Sequence, residues 1–357
     1  MRSATIFLML DTEVRATELK DVLRRSLGHE VVSLAAIGGG RNSRVYRLAD
    51  AASGQYAVKV YFRHGADDRD RLGIEYASLS FLWEHGFRCV PRPIAVDRDY
   101  GCAVYEYIEG TRIASPEETA DDVAAAVRFL NDLKRLSGER ESLQLPPASE
   151  ACFSGRAVSE NVGQRLLRLH GAAASHALLC AFLDREFVPL RDEIVRWAQG
   201  RFRTYDLSWE DEIPLAARTL SPSDFGFHNA LRRDRADIVF LDFEYFGWDD
   251  PAKMIADFLL HPAMDMSVSL KRQFMAGVLT VHHATFHQRV ECLYPLFGLK
   301  WCLILLNEFL PEHLERRGFA NGHKLDRNDL QSQQLAKARA MLDRLKREYE
   351  RFPYRSH

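Results

Sequence analysis

Polar residues interrupt an apolar run in the stretch LSPSDFGFHNALRRDRADIVFLDFEYFGWDDP, residues 220–251. Asp224 stands five positions before Asn229, and Asp242 follows directly on Ile238, Val239, Phe240 and Leu241, which read as a buried strand. An amide oxygen and a carboxylate are hard donors of the kind Mg²⁺ takes, and a further carboxylate can orient an acceptor hydroxyl and receive its proton. Taken singly, each has a plainer account: an Asx turn at Asp224 after Ser221-Pro222-Ser223, a strand edge at Asn229, and a cap at Asp242. It is the set, in order, that asks for chemistry.

A second constellation lies upstream. Ile37–Leu48 reads IGGGRNSRVYRL, and Gly38, Gly39 and Gly40, with Asn42 and Ser43, allow a tight turn whose N–H groups can cradle an anion. The run lacks the GxxxxGK[ST] of a Walker loop, and Ser43 replaces the third glycine of a dinucleotide fingerprint. On its own, an ordinary hairpin turn accounts for it. Lys59, inside YAVKVYF, is by itself a strand lysine facing water. One strand after the glycines, however, its ammonium can meet cradled phosphates, with Glu75 on the next helix as its ion-pair partner.

The elements that must position these residues follow from periodicity. Residues 12–27 carry Val14, Leu19, Val22, Leu23 and Leu27 near helical spacing, with Gly28 as a stop. From Val31 to Val60, β-branched and aromatic runs separated by small-residue turns predict an antiparallel sheet. RDRLGIEYASLSFLWEHGF then returns to helical period, and two more strands follow around Pro93–Asp97 and Cys102–Tyr107. From PEETADDVAAAVRFLNDLKRL onward helical patterns dominate, interrupted by a hairpin in the stretch quoted first. The composition shifts near Gly110. The expected organisation is therefore an N-terminal helical extension over 1–30, a β-rich lobe over 31–110 and a mainly helical lobe over 111–357.

D-x4-N, then a strand and D-F-E, then GWDDP, resembles the aminoglycoside phosphotransferase and choline kinase superfamily, whose fold is similar to that of protein kinases. The resemblance runs from Ile37 to Asp257 and takes in the loop, Lys59, Glu75 and VYEYIEG in kinase order. It implies an α+β, two-lobed fold with a small antiparallel sheet, one key helix and a larger helical lobe. It implies that the backbone from Gly38 to Ser43 covers the phosphates of ATP and that Lys59 binds them with Glu75 as partner. Glu106, Tyr107 and Ile108 would present hinge backbone to the base, which leaves GTP open as an alternative. Asp224 would orient the acceptor hydroxyl and take its proton, while Asn229 and Asp242 would hold Mg²⁺. The chain departs from the superfamily pattern twice. Pro222 stands where a supporting His is usual, and Met254 stands where an Asp three residues after the Pro of DP is usual, with Asp257 one turn further along as its expected substitute.

For the acceptor, the resemblance points to C-terminal helices, where LYPLFGLKWCLILLNEFL is apolar except for Lys300, Asn307 and Glu308. Lys300 and Asn307, two turns apart, are candidates to bind a polar substrate, with an internal hydrogen-bond network as the other account. Phe246 and Trp248 are candidates for a stacking wall, or for core packing. VHHATFH holds His282, His283 and His287 but lacks the Glu of HExxH, and solvated helix histidines account for it. The expected acceptor is a hydroxyl of a sugar, amino sugar or amino alcohol, since no activation segment ending in APE is evident. The other function class is a nucleotide-binding pseudoenzyme or regulatory module, which Pro222 motivates.

Composition narrows the classes further. With 48 basic and 50 acidic residues among 357, and a net charge of -2, there is no electrostatic footprint for nucleic acid. The six cysteines, Cys89, Cys102, Cys152, Cys180, Cys292 and Cys302, show no metal-ligand spacing and read as reduced core thiols of a cytoplasmic protein. MRSATIFLML is followed at once by Asp11 and Glu13, which argues against a signal peptide, and WCLILL is short for a membrane span. No membrane partner is expected.

Overall fold

The computed structural model describes residues 17–39, 43–62, 69–174, 176–234, 237–278, 285–314 and 327–354. Gly40 and Asn42 of the glycine run, and His282 and His283, lie outside them. The described residues form two compact units, divided between Glu109 and Gly110.

The first unit holds a five-stranded antiparallel sheet in the order β1-β2-β3-β5-β4. Its strands are β1 (Val31–Gly39), β2 (Ser43–Asp50), β3 (Gln55–Tyr61), β4 (Pro93–Asp97) and β5 (Cys102–Glu106). Helix α1 (17–27) is part of this core: Leu19, Val22 and Leu23 pack with Leu48, Val58, Cys102 and Val104. Period-two alternation sends Lys59, the residue after Val58, to the opposite face of β3. There it meets helix α2 (Arg71–Glu84), whose first turn is capped by the Asp70 carboxylate accepting from the Gly73 N–H at 2.8 Å. Both faces of the central strand are thus covered. Near the end of β1 the register slips between Ala36 and Gly38, and Gly38 takes φ +154°, a conformation open to glycine.

The second unit is mainly helical. Helix α3 (Ala120–Leu136) starts with a capping box between Thr119 and Asp122, and α4 (Gly155–Ala173) is capped by Ser154. Helices α5 (Ala177–Phe182) and α6 (Val188–Thr204) are joined by a π-helical turn over Leu183–Phe187. Small β-elements follow: β6 (Thr111–Arg112) joins the hairpin of β8 (Ala230–Asp234) and β9 (Asp237–Phe240), while β7 (Thr219–Ser221) pairs with β10 (Gly247–Asp249). Helix α7 (Pro251–Leu260) begins at the Asp250 cap with Pro251 in its first turn, and all ten of its residues are buried. Helices α8 (Val268–Val278), α9 (Phe286–Leu305) and α10 (Arg327–Glu348) complete the unit.

WCLILL belongs to a longer element than its length suggests. Phe286–Phe309 is long and apolar enough to cross a membrane, but 89% of its most apolar window is buried inside the protein. It is the core helix against which α4, α6, α7 and α10 pack. All six cysteines are free; Cys102, Cys152, Cys292 and Cys302 are buried as expected of core thiols, and Cys89 is half-buried. Cys180 corrects that reading. It is exposed, and its thiol donates to Asp184 at 3.2 Å.

Candidate active site

In the first unit, the structure brings Lys59 and Glu75 together. Nζ lies 2.6 Å from Oε2, and both residues are buried. The same carboxylate oxygen accepts from the Tyr61 hydroxyl at 2.7 Å, and Tyr61 and Tyr105 share a hydrogen bond at 2.8 Å. Burial, reinforced by Glu75, raises both phenols well above their ordinary range, so Tyr61 stays protonated and donates. Neither tyrosine stands out in the sequence. Tyr61 sits two residues after Lys59 on one strand face, which is the signal that could have found it. Ser43 is buried at the start of β2, opposite Tyr61. Gly38 and Gly39 end β1. Glu106 ends β5, its carboxylate accepting from the Arg92 N–H at 3.2 Å. Tyr107 lies under the Arg47 guanidinium at 4.5 Å, and Ile108 is buried.

In the second unit, Asp224, Asn229 and Asp242 are placed by β7 and the β8–β9 hairpin. The Asn229 side-chain amide donates to the Asp224 carbonyl at 3.0 Å, and the Leu241 N–H donates to the Asn229 carbonyl at 2.8 Å. Since Ala230 pairs with Phe240, Asn229 and Asp242 leave the hairpin at the same open end. Asp242 has φ +67°, as does Ser223. Such a backbone is sparse outside glycine and persists where the surroundings over-determine it. Those surroundings are aromatic. Phe225, next to Asp224, packs on Phe129, Phe240 and Phe258 with centroids 5.6, 5.0 and 5.6 Å away, and Phe243, next to Asp242, meets Phe129 at 6.2 Å.

Two histidines converge on Asp224. His228 Nε2 lies 3.3 Å and His261 Nε2 3.5 Å from the same oxygen, Oδ1. Burial alone would raise the Asp224 carboxyl, but the hydrogen bonds from His228 and His261 outweigh it and hold the group well below the usual carboxylate range. The side chain is still 35% exposed. His228 was legible as the residue four after Asp224, whereas His261 is brought from the end of α7 by tertiary packing alone. Beneath the loop, Lys253 contacts Asp249 at 2.7 Å and Asp257 at 3.2 Å, a pair of i,i+4 spacings visible in the sequence as D-x3-K-x3-D. Asp257 also accepts from the Trp301 indole at 2.9 Å.

The candidates for acceptor binding are placed differently. Lys300 is buried and its ammonium lies 3.1 Å from Glu150, which also pairs with Arg165. This is the internal network weighed against substrate binding. Burial would raise the Glu150 carboxyl, but Lys300 and then Arg165 hold it far below its ordinary range. Asn307 lies past the end of α9, half-buried in a 3₁₀ turn over Leu306–Phe309. Trp248 is a packing residue rather than a stacking wall: it is 6% exposed, and its indole N–H donates to the Ser142 carbonyl at 2.9 Å. Phe246 is likewise buried. His287 lies in the first turn of α9.

A small antiparallel sheet with one key helix, and a mainly helical second unit carrying an Asp, an Asn and an Asp around a β-hairpin, define a protein kinase-like α+β phosphotransferase fold. The chain belongs to the phosphotransferase enzyme family, whose sequence model matches residues 33–277, more than half of it. No curated protein matches the chain. Among solved structures it is similar to spectinomycin phosphotransferase in complex with ADP and spectinomycin, at TM-score 0.61 and 13% identity, over 92% of this chain and 98% of that one. It is similar to the gentamicin complex of APH(2")-IIa at TM-score 0.60 and 16% identity, over 94% and 98%. A choline kinase from Cryptosporidium parvum Iowa II matches at TM-score 0.58 and 11% identity, over 88% and 90%. At these identities the likeness is one of fold.

Proposed function

We propose that this protein is an ATP- and Mg²⁺-dependent phosphotransferase that moves the γ-phosphoryl group to a hydroxyl of a small molecule, a sugar, amino sugar or amino alcohol. The observation that carries the reading is Asp224. It is partly exposed, tied through its carbonyl to Asn229, and kept ionised by two imidazoles that both meet Oδ1. Oδ2 is then the oxygen to receive an acceptor hydroxyl. Phosphoryl transfer passes through a loose transition state, so Asp224 acts more by orienting the nucleophile than by strength as a base. Its low pKa suits that role.

Asn229 and Asp242 supply an amide oxygen and a carboxylate, a donor set that fits Mg²⁺, and they would hold it. The ion, when bound, neutralises charge on the transferring phosphate. Lys59, fixed by Glu75 and Tyr61, would bind nucleotide phosphates, and the backbone of the glycine run would cover them. The solved relatives crystallised with ADP and with AMP support a nucleotide as donor. The spectinomycin phosphotransferase and the choline kinase among the similar structures support a small hydroxyl compound as acceptor.

The test is ADP formation from Mg·ATP by the full chain with a pool of choline, ethanolamine and amino sugars. Asp224→Ala is expected to lower kcat by about 10²–10⁴-fold with nucleotide binding retained. Nucleotide binding without turnover on any acceptor would instead favour a binding module.

A further inference from the structure

We propose that Lys253 is the positioning residue of the loop carrying Asp224, acting through Ser223. This rests on the reading of Asp224 as the catalytic carboxylate. Ser223 has φ +67°, so the residue just before Asp224 occupies a backbone region that a non-glycine residue keeps only under constraint. Three hydrogen bonds constrain it. Its N–H donates to the Ser221 hydroxyl at 3.0 Å, its own hydroxyl donates to the Ser149 carbonyl at 3.3 Å, and that hydroxyl accepts from Lys253 Nζ at 3.0 Å.

Lys253 is 2% exposed, and an ammonium has three donors. They are matched by three acceptors: Asp249, Asp257 and Ser223. Burial works against the charge, but Asp249 and Asp257 outweigh it and raise the Lys253 pKa, so the ammonium is permanent. Satisfying two buried acids explains the salt bridges. It does not explain why the third donor goes to the strained serine beside Asp224. Asp257 extends the network to the other side of the carboxylate, through the Trp301 indole and the edge-on contact of Trp301 with His261 at 4.7 Å. The loop needs such a hold, because Pro222 offers neither an N–H nor a side-chain donor. Met254, buried and apolar, offers none either.

Ser223→Ala is the informative variant, since it cuts the tether and leaves Lys253 with both carboxylates. With Mg·ATP and water or the acceptor pool, kcat for ADP formation is expected to fall by about 10–100-fold while KM for Mg·ATP stays within about twofold, and the melting temperature should fall by only a few degrees for the unpaired Lys253 donor. Lys253→Met should lose at least as much, and the double variant no more than Lys253→Met alone. Hydrogen exchange over residues 219–229 gives a readout free of turnover, and it should quicken in both single variants with α3 and α10 unaffected. Unchanged kcat in Ser223→Ala of a protein that turns over, or unchanged exchange over 219–229, overturns the proposal. If the wild type binds nucleotide and never turns over, the phosphotransferase reading fails, and the exchange measurement alone decides the role of Lys253.

Discussion

His228 and His261 lie face to face, ring centroids 3.7 Å apart and planes within 2° of parallel, and both direct Nε2 at Oδ1 of Asp224. One ring comes from the loop itself and the other from the end of α7. The stack therefore ties the carboxylate to a helix that is buried along its whole length. Burial lowers the His261 pKa against the pull of Asp224, which favours a neutral ring donating a hydrogen bond.

The pH dependence follows with its sign. Because its folded-state pKa is depressed, Asp224 stays ionised until pH falls through that low value. Removing one donor leaves burial free to raise it. His261→Phe keeps a ring for stacking and loses the donor, so the acid limb of the pH–kcat profile should move upward. Steady-state ADP release between acid and neutral pH measures it; a limb that stays in place would show that His261 does not act on Asp224.

The Lys59–Glu75 contact makes a stability prediction. Glu75 meets both Lys59 and the Tyr61 hydroxyl, so Glu75→Ala removes the carboxylate from a buried ammonium and an acceptor from a buried phenol. The expected loss is about 3 kcal/mol by denaturant unfolding, together with a raised KM for Mg·ATP. Glu75→Gln, which keeps an acceptor, should lose less.

The fold is legible because its elements are strongly periodic. Two short apolar runs rich in β-branched and aromatic residues become β4 over Pro93–Asp97 and β5 over Cys102–Glu106, and the helical run after Asp70 becomes α2. The Lys59–Glu75 contact is legible for the same reason, since each residue lies inside a well-marked element. What periodicity cannot supply is which distant side chains share one oxygen. His261 and Ser149 reach the Asp224 loop through the packing of α7 and of the segment before α4. Trp248 shows the converse limit: an aromatic residue beside polar neighbours carries no mark of whether its ring faces a ligand or the core. The bend that buries it comes from the pairing of β10 with β7 and with Pro147.

That pairing leaves no room at Gly247. A Cβ built there would lie 2.3 Å from the Pro146 carbonyl oxygen and 2.6 Å from the Ala148 nitrogen, both backbone atoms that cannot swing aside. Gly247→Ala should destabilise the protein by about 2–3 kcal/mol, read from a shift in the urea midpoint at constant slope. An unchanged midpoint would mean that residues 146–148 yield easily.

Lys271 on α8 should give the protein a rising stability at alkaline pH. It is buried, and burial, then Arg344, lower its pKa to about 8 against the opposing pull of Asp265, Glu348 and Glu118. The Tyr354 ring at 5.5 Å adds a weak attraction, and both Glu118 carboxylate oxygens lack a hydrogen-bond partner among the described residues. In the unfolded chain a lysine titrates near 10.4. Below about pH 8 both states are protonated and the penalty is present in full. Between the two values the unfolded state binds more protons, so unfolding free energy rises with pH, by about 3 kcal/mol across the window. Lys271→Met has no proton to lose there. Thermal melts from pH 7 to 10 should show the wild type gaining on the variant as pH rises, and parallel curves would place the ammonium in contact with water instead.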